Sequence, residues 1–384
     1  MKRVNIMIRH AVIWSCCLLV LGLCGSPSIT QAVSHADPVA NSYLTITVKS
    51  SPTAHFSTAL IIEHPRWVDR FRNRSFQRAL RTCDLPAAYL TLYADGKTTH
   101  YLADEQGYVF DVTGHQLLQV STETRKLLHS YIHLLSQKHY GEPLMWEEVQ
   151  SLLPRKAVFD IIDLDTGLRF RAQRRAGSRH ADVQPLTYHD TKIMREIYQG
   201  KWSWKRRAIL VKINNRFIAA SMHGMPHGRG ALKNGFPGHF CIHFLGSTTH
   251  RTKRVDPTHQ VMVHKAAGHL ADYLDKADPY ELVDIFILAL NQQDEYLLKQ
   301  LLPSVLKDDK AAIRNTLTEL HYVTKISTLT EEPAHDLLFM QIPVKVQLYW
   351  KDRGKETREL IFTLQRHSPV ERWSVECDLF SKEN

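Results

Sequence analysis

Apolar and polar side chains alternate through Gly238-His239-Phe240-Cys241-Ile242-His243-Phe244. At the two-residue period of a β-strand, Phe240, Ile242 and Phe244 share one face and His239, Cys241 and His243 the other. One face is oily enough to bury. The other carries side chains that bind metal, move protons or attack carbonyls. The same period recurs nearby. Val158 to Leu164 and Leu168 to Arg174 read as strands around an Asp165-Thr166-Gly167 turn, and Arg207 to Ile213 and Arg216 to Ser221 as a hairpin around Asn214-Asn215. Thr187 to Tyr198 reads as a helix opened by Tyr188, His189 and Asp190. Asp256, with Pro257 behind it, caps a helix running to about Lys276.

The flanks are patterned differently. Tyr43 to Val48, Tyr89 to Tyr93, Thr98 to Leu102 and Tyr108 to Val112 alternate around turns at Asp95-Gly96 and Gly107, a meander signal. Thr122 to Lys138 is an amphipathic helix, and Trp146 to Leu153 a shorter one. After Asp278-Pro279 come two helical stretches, Tyr280 to Leu290 and Glu295 to Leu306. Long strands follow: Leu338 to Trp350, Glu359 to Arg366, and the Trp373 segment. The expected fold class is mixed α+β: a small α+β domain over 37–150, a β-rich central module over 151–277 and a C-terminal α+β domain over 278–384.

Composition leaves this picture intact and adds a destination. With 384 residues, 43% hydrophobic and 23% charged, the chain can bury ordinary globular cores. Its first 36 residues read as a secretory signal: Lys2, Arg3 and Arg9, an apolar run from Ala11 to Leu23, then Thr30-Gln31-Ala32 and Ser34-His35-Ala36 as cleavage sites. The apolar run is short for a membrane span. An uncleaved anchor, or lipid attachment at Cys24, are the alternatives; Leu23 fits the second poorly. No later segment looks transmembrane. The formal charge is +10, and removing the segment through Ala36 takes three cations and no acids, leaving +7. A secreted basic protein is drawn to an anionic wall polymer or membrane surface. No nucleic-acid-binding motif is present. Beyond the signal only Cys83, Cys241 and Cys377 occur, an odd and widely spaced set that is no disulfide framework.

Candidate chemistry concentrates in the central module. Eight of the 22 histidines lie between His223 and His269. Three segments could converge: Arg174 to Asp182, His223 to Gly228, and the alternating strand with Ser247, His250, Asp256 and His259 behind it. Alternate strand positions are about 6.7 Å apart, so His239 and His243 cannot share one metal ion, whereas Cys241 can act with either neighbour. Two active-site versions follow. In one, His180, Asp182 and His243 hold zinc, with His227 as a proton shuttle. In the other, Cys241 is a thiol nucleophile, His227, His239 or His243 is its base, and Asp182 orients the base. The cofactor is accordingly zinc or none. The bland reading is that Cys241 is a small buried residue and the histidines bond to backbone. Trp202-Ser203-Trp204-Lys205-Arg206-Arg207 is either a carbohydrate platform or a packed turn with a basic edge.

Three resemblances add to this. His227-Gly228 followed by Gly238-His239-Phe240-Cys241-Ile242-His243 loosely resembles the signature of the L,D-transpeptidases, secreted enzymes that cross-link peptidoglycan. His239, Cys241 and Ile242 match. Gly238, Phe240 and His243 replace a Ser, a Gly and an Arg, and the last two departures touch groups that admit substrate and support the site. The strings Asp163 to Gly167, Gly177 to Asp182, Ala219 to His227 and Gly238 to Phe244, with Ser247 and His250, are similar to a wall-associated module in secreted proteins of Gram-positive spore-formers. That resemblance covers a little over a quarter of the chain and implies an envelope setting, not a reaction. Helices followed by long antiparallel strands over about the last hundred residues resemble the cone-shaped fold of nuclear transport factor 2.

The expectation is a secreted, wall-associated protein whose partner is peptidoglycan or another anionic wall polymer, without nucleic acid and without a membrane span beyond the signal. Its expected activity is acyl transfer or hydrolysis on peptidoglycan peptides, as a transpeptidase or peptidase. The rival is a non-catalytic wall-binding or assembly protein in which the histidines only maintain the fold.

Overall fold

Strand alternation organises the N-terminal part of the chain as the sequence predicts. In β2 (Tyr43–Val48), Leu44, Ile46 and Val48 are buried and their neighbours are not. The computed structural model describes residues 42–72, 74–79, 82–249, 253–303, 310–327 and 332–380, together with the backbone of β1 (Met7–His10). The remainder of the expected signal segment, its apolar run and its cleavage sites lies outside the described residues, as does His250.

The chain divides into two compact units, residues 1–49 with 55–139 and residues 50–54 with 140–384. In the first, β1, β2, β3 (Thr58–Ile62), β4 (Phe76–Arg78), β5 (Ala88–Ala94), β6 (Lys97–Ala103), β7 (Val109–Phe110) and β8 (Gln116–Leu118) form one sheet in the order β1-β3-β2-β5-β6-β7-β8-β4. A short helix α1 (Pro65–Asp69) follows β3, and α2 (Thr122–His139) buries Leu128, Ile132 and Leu135 against β2 and β3.

The second unit is built on a closed barrel. Helix α3 (Trp146–Leu152) leads into β9 (Val158–Asp163), β10 (Arg169–Ala176), β11 (Ala181–Pro185), α4 (Tyr188–Ile197), β12 (Arg206–Ile213), β13 (Arg216–His223) and β14 (Phe240–His243). The six strands close in the order β10-β11-β14-β13-β12-β9. Every pairing is antiparallel. Closure leaves no free strand edge. Ile161, Phe170, Val183, Ile209, Phe240 and Ile242 fill the interior, with Val149 of α3 and Met194 of α4 in the same core. β14 comes last in sequence but inserts between β11 and β13, which aligns Asp182 with Cys241 and Ser221 with His243.

Helix α5 (Pro257–Ala267) covers β12 and β13. The single helix expected from Asp256 to Lys276 is two. Gly268 at φ 76 ends α5, where a Cβ would stand 2.5 Å from the Tyr140 ring, and α6 (Leu270–Lys276) starts beyond it. Then come α7 (Pro279–Gln292), α8 (Glu295–Leu301), α9 (Lys310–Glu319) and a four-stranded sheet, β15 (Leu320–Lys325), β16 (Phe339–Trp350), β17 (Gly354–Gln365) and β18 (Ser374–Cys377). In register, Ile342 faces Phe362 and Val344 faces Leu360, and Phe286 of α7 meets Phe362 edge-on at 5.4 Å.

The molecule is therefore mixed α+β and β-rich, but its divisions differ from those expected. The boundary placed at 150 falls inside the second unit, because the segment before α3 is stitched to the barrel. Glu142 exchanges backbone bonds with Phe217 and Ala219, and Trp146 stacks on Phe244 and donates to the Ser178 carbonyl at 2.9 Å. The boundary at 277/278 is no boundary by contact. Asp278-Pro279 is the N-cap and first residue of α7, whose backbone the Asp278 carboxylate caps, and α7 packs on α5. No described helix is long and apolar enough to cross a membrane.

Candidate functional site

Alternation sends Phe240 and Ile242 into the barrel and turns Cys241 and His243 to its other face. That second face is buried as well, which the strand pattern does not announce. Cys241 is 5% exposed and His243 3%. Helix α5 supplies part of the cover: His259 Nδ1 lies 2.9 Å from Ser221 Oγ, and the His259 ring stacks on His243 with centroids 3.8 Å apart.

The loop from His223 to Gly238 supplies the rest. His227 and His239 exchange both backbone hydrogen bonds, at 3.0 and 2.9 Å. This close pairing needs glycine at two positions. A Cβ on Gly228 would meet the His239 ring at 2.4 Å, and one on Gly238, at φ 131, would meet the His227 carbonyl at 2.5 Å. Gln184 of β11 anchors the loop from below. Its Oε1 accepts from Ala231 N at 2.8 Å and Leu232 N at 3.2 Å, and buried Asn234 bonds the Pro185 carbonyl.

The loop delivers His227 to the thiol. Cys241 Sγ stands 3.3 Å from His227 Nε2. His227 Nδ1 lies 3.1 Å from the Met225 carbonyl, so that nitrogen carries the proton and Nε2 presents its lone pair to sulfur. The orienting group is thus a backbone carbonyl, not Asp182 as expected. Asp182 sits on the other side, with Oδ1 3.8 Å from Sγ, 3.4 Å from His180 Nε2 and 3.8 Å from His239 Nε2. His239 approaches Asp182 and pairs with His227, and its Nδ1 lies 3.3 Å from the Arg229 carbonyl.

The expected ligand trio of His180, Asp182 and His243 is split. His180 and His243 stack at 4.4 Å, and His180 Nδ1 faces the Thr248 carbonyl at 2.8 Å. Among the described residues, three trios bring their donor atoms within 4.8 Å of one another: His180, Cys241 and His243; His223, His227 and Cys241; and Asp182, His239 and Cys241. Any of these could hold a metal ion, and Cys241 belongs to all three. The spacing argument survives, since no trio contains both His239 and His243.

Burial sets the charge state. It pushes the Cys241 thiol well above its ordinary value, and the Asp182 carboxylate adds to the push. Burial also pushes His223 and His259 well below the ordinary imidazole value, with Arg206 contributing to both, and lowers His227 less far. At pH 7 the resting site is a neutral thiol with His223, His227 and His259 neutral around it. A thiolate–imidazolium pair is not its ground state, so a base must remove the thiol proton as sulfur attacks.

Two participants escape a sequence reading. Ser221 and Gln184 are ordinary polar positions on strands, signalled only by alternation opposite buried apolar neighbours. Trp204, 49% exposed, lays its ring 4.6 Å from His223 and 5.7 Å from His227. Trp202 is instead packed edge-on against Phe236. The motif Asp163 to Gly167 is structural: Asp163 accepts two bonds from Arg207, at 2.8 and 2.6 Å, and caps the turn through Thr166. Cys83 and Cys377 are buried. Comparison with known proteins finds no matching family, no matching curated sequence and no matching solved structure.

Proposed function

We propose that Cys241 is a thiol nucleophile with His227 as its general base, in an envelope protein that transfers or hydrolyses acyl groups of peptidoglycan peptides. The observation that carries this reading is the 3.3 Å approach of Nε2 to Sγ, with Nδ1 fixed on the Met225 carbonyl. Nucleophile, base and orienter are then in sequence. As Sγ bonds to the carbonyl carbon of the substrate, His227 takes the thiol proton. It returns that proton to the leaving amine as the C–N bond breaks, leaving a thioester. Water or a second amine resolves the thioester, giving hydrolysis or transfer. Asp182 lies 3.8 Å from the thiol and neighbours His180 and His239, a positioning role. The signal segment and basic charge support an envelope setting, and helices α7 to α9 before an antiparallel sheet support a nuclear transport factor 2-like accessory part.

Digestion of purified peptidoglycan tests this. Wild type should change the muropeptide profile and form a thioester adduct visible by mass spectrometry, and Cys241→Ser should do neither. An unchanged profile with both proteins would leave the wall-binding reading, in which the histidines maintain the fold.

A second reading has its own observation. The trio of His223, His227 and Cys241 offers three protein ligands for zinc, and buried neutral imidazoles are already in the state that binds metal. Zinc would act as a Lewis acid there. Elemental analysis decides: about one zinc per chain favours this reading, and a content near zero sinks it.

A further inference from the structure

Beside the thiol site lies a cleft of about 1740 Å³ between the barrel and the helices and sheet that follow it. We propose that this cleft binds the glycan backbone of the substrate, a polysaccharide presented with little net charge; the proposal rests on the acyl-transfer reading for its link to catalysis. Its volume exceeds the roughly 300–1,000 Å³ of a small-molecule pocket, which suits a polymer segment.

The lining suits sugar rings. Each ring has an apolar C–H face and a rim of hydroxyls that both donate and accept. Trp204 on the barrel side and Tyr322 and Tyr349 on the sheet side supply aromatic surface, with Trp204 and Tyr322 about half exposed. Gln292 supplies an amide that donates and accepts, while the Asn291 amide is engaged by the Val323 backbone.

Charge argues against a polyanion. Apart from Lys201 and Lys205, every cation of the lining is paired with a carboxylate: Arg206 with Asp256, Arg207 and Lys265 with Asp165, Lys299 and Arg314 with Glu295, and Lys325 with Asp284. Lys205 is turned onto the Gln292 carbonyl and Gln293 Oε1, at 3.1 and 3.0 Å. A phosphate-rich strand would find its counter-charges already taken.

The cleft also reaches the base. Trp204 and Met225 line it, and the same two residues touch His227, one through its ring and the other through the carbonyl that fixes the tautomer. A strand lying in the cleft therefore runs one side chain away from the imidazole.

Calorimetry with peptide-free glycan strands, prepared from purified peptidoglycan by amidase, tests the proposal on the full chain. Wild type and Cys241→Ser should bind equally. Tyr322→Ala, which changes an exposed side chain of β15, should weaken binding about tenfold. It should also slow turnover of intact peptidoglycan while leaving turnover of free stem peptides unchanged. No binding of these strands by wild type, binding unaffected by both Tyr322→Ala and Trp204→Ala, or displacement of the glycan by a polyphosphate wall polymer would each overturn it. Glycan binding without peptide turnover upholds the cleft and sinks the acyl-transfer reading.

Discussion

Two buried polar clusters flank the same barrel, and they solve burial in opposite ways. Around Asp163 every charge meets its opposite. Arg207 grips Asp163 through two nitrogens, and Lys265 lies 3.2 Å from Asp165. Burial pushes Asp165 up, yet Lys265 and Arg207 beside it hold it below the usual carboxylate range. Around Cys241 burial is met by discharging the groups. The thiol is held protonated and the imidazoles of His223 and His259 neutral. The first arrangement fixes the fold. The second keeps groups that can exchange protons or bind a metal, as functional sites do when they perturb ionisation.

Breaking the first cluster should have the largest effect on stability. Asp163→Ala removes one partner of a pair whose carboxylate is fully buried and leaves Arg207 without its main counter-charge. The expected loss is about 3–5 kcal/mol in urea unfolding. A loss below about 1 kcal/mol would remove the distinction between the clusters.

His227→Gln should spare stability and cost catalysis. The glutamine can keep the loop in place but cannot take a proton, so kcat/KM should fall by about a hundredfold or more. In wild type the acid limb of kcat/KM should lie below the ordinary imidazole value of 6.5, because burial lowers His227 and the base works only when neutral. A limb above 6.5 would assign the base elsewhere.

The second cluster should also make the protein acid-sensitive. The folded protein leaves His223 and His259 unprotonated until well below 6.5, whereas the unfolded chain takes up those protons from 6.5 downward. Below 6.5 the unfolded state therefore binds more protons. Stability from these residues is full above that pH and falls as pH drops toward the folded values, by up to about 1.4 kcal/mol per pH unit for each histidine. Urea unfolding between pH 7 and 5 measures it, and a flat profile would mean that the fold does not depress these imidazoles.

How much of this was legible depends on range. The two faces of β14 and the cap at Asp256-Pro257 are local patterns, and both were readable. The Gly-rich loop was readable as a loop. Its closure onto Cys241 depends on His227 pairing with His239 across the loop, and on Gln184 beneath it, contacts that no periodicity encodes. Asp182 stands beside His239, one of the bases the sequence offers, while the Met225 carbonyl holds His227. The β11–β14 register sets Asp182 directly opposite Cys241, and register is decided by barrel closure. Asp278-Pro279 looked like a domain junction because caps and linkers share residue types; only packing separates them.

The subtlest test compares neighbours on β12. Arg207 belongs to the ion-paired cluster and Arg206 to the imidazole side, where its charge helps hold His223 and His259 down. Arg206 also pairs with Asp256 at 3.2 Å, but Asp256 keeps its capping bonds to Thr258 without it. Arg207→Gln should resemble Asp163→Ala. Arg206→Gln should cost about 1 kcal/mol or less at pH 7, as expected for a partly exposed pair. Its distinctive effect is on the acid profile. With that cation gone, the folded imidazoles rise toward 6.5. The unfolded values do not move, so the loss of stability begins at the same pH but levels off sooner. The variant, less stable at pH 7, should thus lose less on acidification than wild type. Parallel profiles for the two proteins would show that burial alone discharges the histidines and that Arg206 has no part in it.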